Sequence, residues 1–306
     1  MKSKKSVVCF GEILWDNLPT GKKPGGAPMN VAYHLHKLGI DSQLISSIGD
    51  EQSGVELMGF LKEIGLKTDL VQIDRAHDTS EVQASVNPDN HEVTYEIISP
   101  VAWDFISWQP NFETLLKEAQ AFVFGTLSTR NPATRNTLYQ MLEHSAYRVF
   151  DVNLRAPHYS PEVIEALLKK SNLVKLNSSE LLLIAQWYNQ ACVKEADCVE
   201  VLFDRFNIEE VIITKGSQGA TYYTSLFRYD YPAYSVHVAD TIGSGDSFLA
   251  AFLAMKLGDE PVEITLDYAV AMGAFITSQA GACPQYSKFD LERFIWKKKL
   301  GIYDKT

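Results

Sequence analysis

The run Asp240-Thr241-Ile242-Gly243-Ser244-Gly245-Asp246-Ser247-Phe248 carries the types of group that move a phosphate. Gly243 and Gly245 lack side chains, so the backbone there can turn sharply and let a ligand come close. The apolar run 249–255 that follows reads as a buried helix, stopped near Gly258. A glycine-rich turn feeding a helix start presents unpaired N–H groups with the positive end of the helix dipole behind them, which makes an anion site. Asp246 would sit beside that site. A carboxylate there can take the proton of an attacking hydroxyl while the backbone of Gly243, Ser244, Gly245 and Asp246 stabilises charge on a transferring phosphoryl group. An acid placed only to cap the helix has the same spacing.

A second group of polar residues lies near the start of the chain. Residues 7–11 read as a first strand, apolar on both faces as a parallel sheet requires. This strand runs into Glu12-Ile13-Leu14-Trp15-Asp16. Asp16 falls just past a strand's carboxyl end, where open α/β sheets bind ligands; an ordinary loop aspartate fits the same position. Pro24-Gly25-Gly26-Ala27-Pro28-Met29-Asn30 then leads into a helix over 28–38, with Val31, Leu35 and Leu38 at core spacing and Gly39 as its stop. The Asn30 amide, in the first turn, can donate to and accept from a sugar hydroxyl, or serve as a cap. His34 and His36 stand two apart on this helix and face different sides, so they read as surface or packed histidines rather than metal ligands.

The late run Asp-Thr-x-Gly-Ser-Gly-Asp-x-Phe and the early run Gly-Gly-x-x-x-Asn resemble the two signatures of the ribokinase-like (PfkB-type) carbohydrate kinases. Gly-Gly-Ala-Pro-x-Asn-Val-Ala, preceded by Gly-Glu-Ile-Leu-x-Asp, is most similar to the fructokinase branch. The resemblance extends over nearly the whole chain. It implies an α/β fold, a three-layer α/β/α sandwich with a mostly parallel central sheet, as one kinase domain over residues 1–306. It also implies a small β-sheet lid formed by about 13–24 and 71–105. Asp246 would be the catalytic base, Gly243 to Asp246 the anion hole, and Asp16, Gly25, Gly26 and Asn30 the groups that hold the sugar. Trp103 would either stack on the sugar or pack the hinge of the lid.

The elements between the two signatures support this organisation. Residues 43–48 read as a second strand closing on Gly49-Asp50, with an amphipathic helix over 53–64. Residues 81–86 and 92–98 alternate like hairpin strands around Asn87-Pro88-Asp89-Asn90. By resemblance these are lid strands, and a lid that excludes water suppresses hydrolysis of ATP. From residue 121 the pattern becomes regular βα alternation, with strands over 121–125 and 147–153 and a helix over 132–145. Asp151, Asn153 and Arg155 alternate at a strand's carboxyl end; Arg155 could bind a ligand's carboxylate or phosphate, or pair with Asp151. Asn177-x-x-Glu180 is by itself a capping box. The resemblance implies that Asn177 lies by the nucleotide and that Glu180 organises Mg²⁺ through its waters, which suits an ion that keeps its hydration. Thr214, Gly216 and Gly219, in a strand and turn that otherwise read as a hairpin, would lie against ATP. Small residues along a helix over 262–279 permit close packing or a flat adenine pocket. Carbonyls around Asp240, Ile242 and Gly281 would surround a monovalent cation such as K⁺.

The net charge of −10 leaves no basic stripe for nucleic acid. The four cysteines form no C-x-x-C pair, and neither a signal peptide nor a membrane-length apolar run is present, so the expected compartment is the cytoplasm with reduced thiols. The chain has no Walker-type P-loop, no Gly-x-Ser-x-Gly elbow and no Gly-x-Gly-x-x-Gly after the first strand. The expected activity is ATP-dependent phosphorylation of a sugar's primary hydroxyl, D-fructose to fructose 6-phosphate. The alternatives are 2-keto-3-deoxygluconate, ribose or a nucleoside as acceptor, and, outside enzymes, an inactive sugar sensor. Val82, Val86, Tyr95 and Ile97 would give a lid an apolar face for pairing with a second lid in a homodimer.

Overall fold

Runs of Val, Ile, Leu and Phe too short for helices become strands buried on both faces, and amphipathic segments between them become the covering helices. The computed structural model describes residues 5–18, 21–86 and 93–301. The amino-terminal part contains β1 (Ser6–Phe10), β2 (Leu14–Leu18), β3 (Gly21–Gly25), α1 (Ala27–Lys37), β4 (Asp41–Gly49), α2 (Gln52–Glu63), β5 (Val71–Asp74), β6 (Ser80–Val86) and β7 (Val93–Ile97). The middle contains α3 (Asn111–Glu118), β8 (Ala121–Gly125), α4 (Pro132–His144), β9 (Arg148–Asp151), α5 (Pro161–Leu168), β10 (Leu173–Asn177), α6 (Ser178–Gln186) and α7 (Glu195–Arg205). The remainder contains β11 (Glu210–Thr214), β12 (Ala220–Thr224), β13 (Arg228–Tyr231), α8 (Ser244–Lys256), α9 (Val262–Thr277) and α10 (Lys288–Lys299).

Nine strands form the main sheet in the order β13-β12-β11-β10-β9-β8-β1-β4-β5. From β11 to β5 every neighbour is parallel, and only β12 and β13 run antiparallel, at one edge. Strand alternation divides the core in two. Val7, Cys9, Val123, Val149 and Ile212 face one layer, with side chains of α1, α2, α8, α9 and α10. Val8, Phe10, Phe124, Phe150 and Ile213 face the other, with α3 to α7. This is the expected three-layer α/β/α architecture.

A separate four-stranded sheet runs β3-β2-β6-β7. It is tied to the body by Trp15, whose indole N–H donates to Ser53 O at 3.0 Å, and by Lys22, which bonds Glu81 Oε1 at 2.6 Å and Ser53 Oγ at 2.7 Å. The second sheet therefore takes residues from 14–25 and 80–97. β5, inside the span 71–105 expected for a lid, pairs with β4 and extends the main sheet instead. The turn at Asn87–Asn90 lies outside the described residues. The four cysteines are free thiols.

Candidate active site

The carboxyl ends of the parallel strands, the second sheet and the start of α8 enclose a cavity of about 800 Å³. Its walls include Glu12, Asp16, Gly26 and Asn30 on one side and Asn177, Glu180, Thr214, Ile242, Gly243 and Gly245 on the other, with Asp246 between them. Gly243 takes a left-handed φ of 74° as the residue before α8, and a Cβ there would lie 2.7 Å from that of Ala282. Only glycine makes this turn without strain. Among the described residues nothing accepts from the first-turn N–H groups of Gly245 and Asp246, the ordinary condition of a helix start. Ser244 is engaged within the turn: its N–H donates to Thr241 O at 3.3 Å, and its hydroxyl is held by Gly273 O and Thr277 Oγ1.

Asp246 Oδ2 accepts a hydrogen bond from Asn30 Nδ2 at 2.8 Å, across a chain separation of 216 residues. Burial pushes the Asp246 carboxyl up to about 6, and the Asp151 carboxylate adds to this; Lys175, the Asn30 bond and Arg155 pull it back. The Asn30 carbonyl in turn accepts from Cys283 Sγ at 3.3 Å. Gly25 and Gly26 act by having no side chain. A Cβ on Gly25 would lie 2.4 Å from Asp16 Oδ2, and one on Gly26, at φ 116°, 2.4 Å from Glu12 O. Asp16 is raised above the usual carboxylate range by burial, with Arg155 opposing the shift.

Glu180 is both cap and wall. Its two oxygens accept from the N–H groups of Asn177 and Leu154, each at 2.8 Å, and Asn177 Oδ1 returns the cap to Ser179 and Glu180. Each Glu180 oxygen keeps capacity to accept a further hydrogen bond, and Glu180 lines the cavity. No cage of three or more His, Cys, Asp or Glu exists among the described residues. A hydrated Mg²⁺ carried on nucleotide phosphates needs none, so these residues fit that ion. Asp240 accepts from Ile242 N at 3.0 Å and from Gly281 N at 3.1 Å, joining the two loops whose carbonyls would hold a monovalent cation.

Some expected site residues stand elsewhere. Trp103 is fully buried under the Arg130 guanidinium, 3.8 Å from its ring, and does not line the cavity. Its large apolar surface packs the hinge after β7 and has no route to a sugar. Gly219 turns with φ 95° against Tyr231 O, so its lack of a side chain serves the join between β11 and β12; Gly216, at φ 55°, begins the same turn. Neither lines the cavity. Thr214 does. The small residues Ala269, Ala271 and Gly273 are buried where α9 packs along α8. His34 is buried between Tyr286 OH and Ala282 O, and burial holds it down at about 3, in the neutral form. His34 and His36 point apart, as their spacing predicts.

Among the wall residues missed are two buried charged ones. Glu12 is buried, with Oε1 accepting from Ala27 N at 3.2 Å and Oε2 without a partner among the described residues; burial pushes it up to about 7. Lys175 is buried in β10 and bonds both oxygens of Asp151, each at 2.8 Å. Asp151 is thereby taken, and Arg155 is left exposed at the cavity edge with a bond to Leu154 O at 3.1 Å. A charged side chain inside an apolar strand is the signal that finds Lys175 in the sequence, because it requires a buried partner.

The arrangement can hold a polyhydroxylated ligand on one wall and a phosphate chain on the other, with a carboxylate of raised pKa at their meeting point. Over residues 5–288 the chain matches the description pfkB family carbohydrate kinase. Probable fructokinase-5 of Arabidopsis thaliana is 28% identical, over 93% of this chain and 95% of that protein. The fructokinase of Xylella fastidiosa, solved with bound ATP, has the same fold at a TM-score of 0.84 and 21% identity, covering 97% of this chain and 99% of that one. A double mutant of fructokinase from Vibrio cholerae O395, in a fructose-, ADP- and potassium-bound form, gives 0.81 at 21% identity over 96% and 99%. With a match that spans both walls of the cavity and the helix between them, the chain belongs to the pfkB family of carbohydrate kinases.

Proposed function

We propose that the protein transfers the γ-phosphoryl group of ATP to a primary hydroxyl of a sugar, and that the sugar is D-fructose, giving fructose 6-phosphate. The observation that carries this reading is the place of Asp246, half-buried at the start of α8 with Asn30 on one side and free first-turn N–H groups on the other. Asp246 takes the proton of the attacking hydroxyl, the oxygen attacks the γ-phosphorus in line, and the N–H groups of Gly245 and Asp246 stabilise the charge that spreads over the phosphoryl oxygens. Asp16, Asn30 and the backbone at Gly26 hold the sugar hydroxyls. Glu180 and Asn177 would hold the waters of Mg²⁺, which supplies charge neutralisation on the phosphates when bound with ATP. Asp240, with the carbonyls of Ile242 and Gly281, would hold K⁺. The second sheet closes over the sugar as a lid, with Val82 and Ile97 as its cavity-facing apolar side chains.

Similarity to fructokinases favours fructose. Arg155, free of Asp151 and at the cavity edge, favours an acidic sugar such as 2-keto-3-deoxygluconate as the second reading. Release of ADP measured with ATP, Mg²⁺ and a panel of fructose, ribose, 2-keto-3-deoxygluconate and adenosine separates them. Fructose is expected to give the highest kcat/KM, and Asp246→Asn to lose roughly 10²–10⁴-fold of it. Preference for the acidic sugar would reassign the acceptor, and undiminished turnover by D246N would remove the base.

A further inference from the structure

We propose that Lys175 is the phosphoryl-holding cation of this site and that Asp151 fixes it there, an inference that rests on the kinase reading above. Lys175 and Asp151 stand opposite each other in the parallel pairing of β10 with β9, so sheet register itself brings them together. The ammonium is buried, with both Asp151 oxygens at 2.8 Å. Two of its three N–H groups meet that carboxylate and the third remains for the cavity that Lys175 lines. The direction is set by Gly245, because a Cβ there would lie only 3.2 Å from Lys175 Nζ. The ammonium therefore sits against the first turn of α8, beside the N–H groups that form the anion site.

Stability alone explains this poorly. A buried ion pair returns about what its desolvation costs, and an apolar pair of similar volume does as well. A cation beside a helix N-terminus also has the wrong sign for the dipole. An anion held between the ammonium and the N–H groups reverses that balance. In the transfer step the acceptor oxygen bonds to the γ-phosphorus, the bond to the β,γ-bridging oxygen breaks, ADP leaves, and the hydroxyl proton passes to Asp246. Lys175 donates to a γ-oxygen as its charge grows. The groups facing Asp246 are Asp151, Lys175, Asn30, Arg155, Glu12 and Cys283. Of these, Lys175 favours its ionised form and Asp151 opposes it, so the two members of the pair act on the base with opposite sign.

The test compares wild type, Lys175→Met and Asp151→Asn by ADP release over a pH series, with fructose and with water as acceptors. K175M should lose ~10²–10³-fold in kcat with little change in KM for the acceptor, and its acid limb should move to higher pH. D151N should move the acid limb to lower pH, because the lysine then acts on Asp246 unopposed. A K175M enzyme within about fivefold of wild-type kcat, or acid limbs unmoved in both variants, would reduce the pair to a structural one and overturn the proposal. If K175M does not fold, Lys175→Gln takes its place, with the same loss of kcat expected and the same fivefold limit overturning the proposal. A wild-type chain silent with water and with every acceptor of the panel above would overturn the kinase reading and this inference with it, whereas an active wild type beside an equally active K175M overturns only the role of Lys175.

Discussion

A carboxyl pushed up to about 6 is still mostly ionised at neutral pH and can act there as a base. The mechanism we propose needs Asp246 ionised, so kcat/KM should rise with pH through about 6 and flatten above it. Asn30→Ala removes a hydrogen bond to the ionised form, so the acid limb of that profile should move to higher pH; a limb that stays in place would detach the asparagine from the base. Glu12 titrates with the opposite meaning for stability. Its folded pKa, about 7, is raised above the ordinary 4.5, so the stability it contributes is complete below about 4.5 and is lost as pH rises to about 7. Glu12→Gln escapes that loss and should gain roughly 3 kcal/mol relative to wild type between pH 4.5 and 7, read from urea melts at both ends of the range. At this scale the sequence is legible where backbone chemistry dictates residue type. Gly243, Gly26 and Asn30 stand where their spacing predicts. Direction is not legible from type. Trp103 has the shape of a sugar platform, but its orientation is set by Arg130 and Asp104, which only tertiary packing brings beneath β7.

Elements read more easily than residues, because apolar runs and periodicity decide them locally. The parallel strands and the helices between them follow from that pattern. β5 misleads because it is an edge strand: only Val71 is buried and Ile73, on the same face, is 53% exposed, so it lacks the continuous apolar burial that marks the central strands. The join between the second sheet and the body is more specific. Arg130 pairs with both oxygens of Asp104 at 2.7 Å and donates to Ile98 O at 2.8 Å and Ile97 O at 3.3 Å, where the chain leaves β7. Both side chains are almost wholly buried. Arg130→Ala leaves the buried Asp104 without its cation, with Val101 N–H at 3.0 Å and Ser99 Oγ at 3.5 Å as its remaining partners, and should cost about 3–5 kcal/mol of stability. The same change frees the exit of β7, so acceptor-independent ATP hydrolysis should rise relative to transfer in whatever fraction remains folded. An R130A protein with wild-type melting and an unchanged ratio would show that the hinge is held elsewhere.

The whole molecule has no helix long and apolar enough to cross a membrane among the described residues. Its second sheet has unpaired outer edges at β3 and β7 among the described residues. Val82 and Ile97, expected from the sequence to cover a second lid, line the cavity instead; the side chains of Val86 and Tyr95 lie outside the described residues. Edge pairing between two copies therefore remains the route we propose for a homodimer, and light scattering at micromolar concentration should give twice the chain mass, with a monomer ending the idea. The bond from Asn30 to Asp246 reaches beyond the reaction itself. It spans 216 positions, and α1 packs directly on α8, so the amino-terminal half of the site waits for the carboxyl-terminal one. On the ribosome, a growing chain can fold its early strands and helices long before residue 246 emerges. Until then it would have the proposed sugar-side wall without the proposed base. On the proposed mechanism turnover would appear only after residue 246 has emerged and α8 has packed on α1, so a fragment that stops short of α8 would spend no ATP.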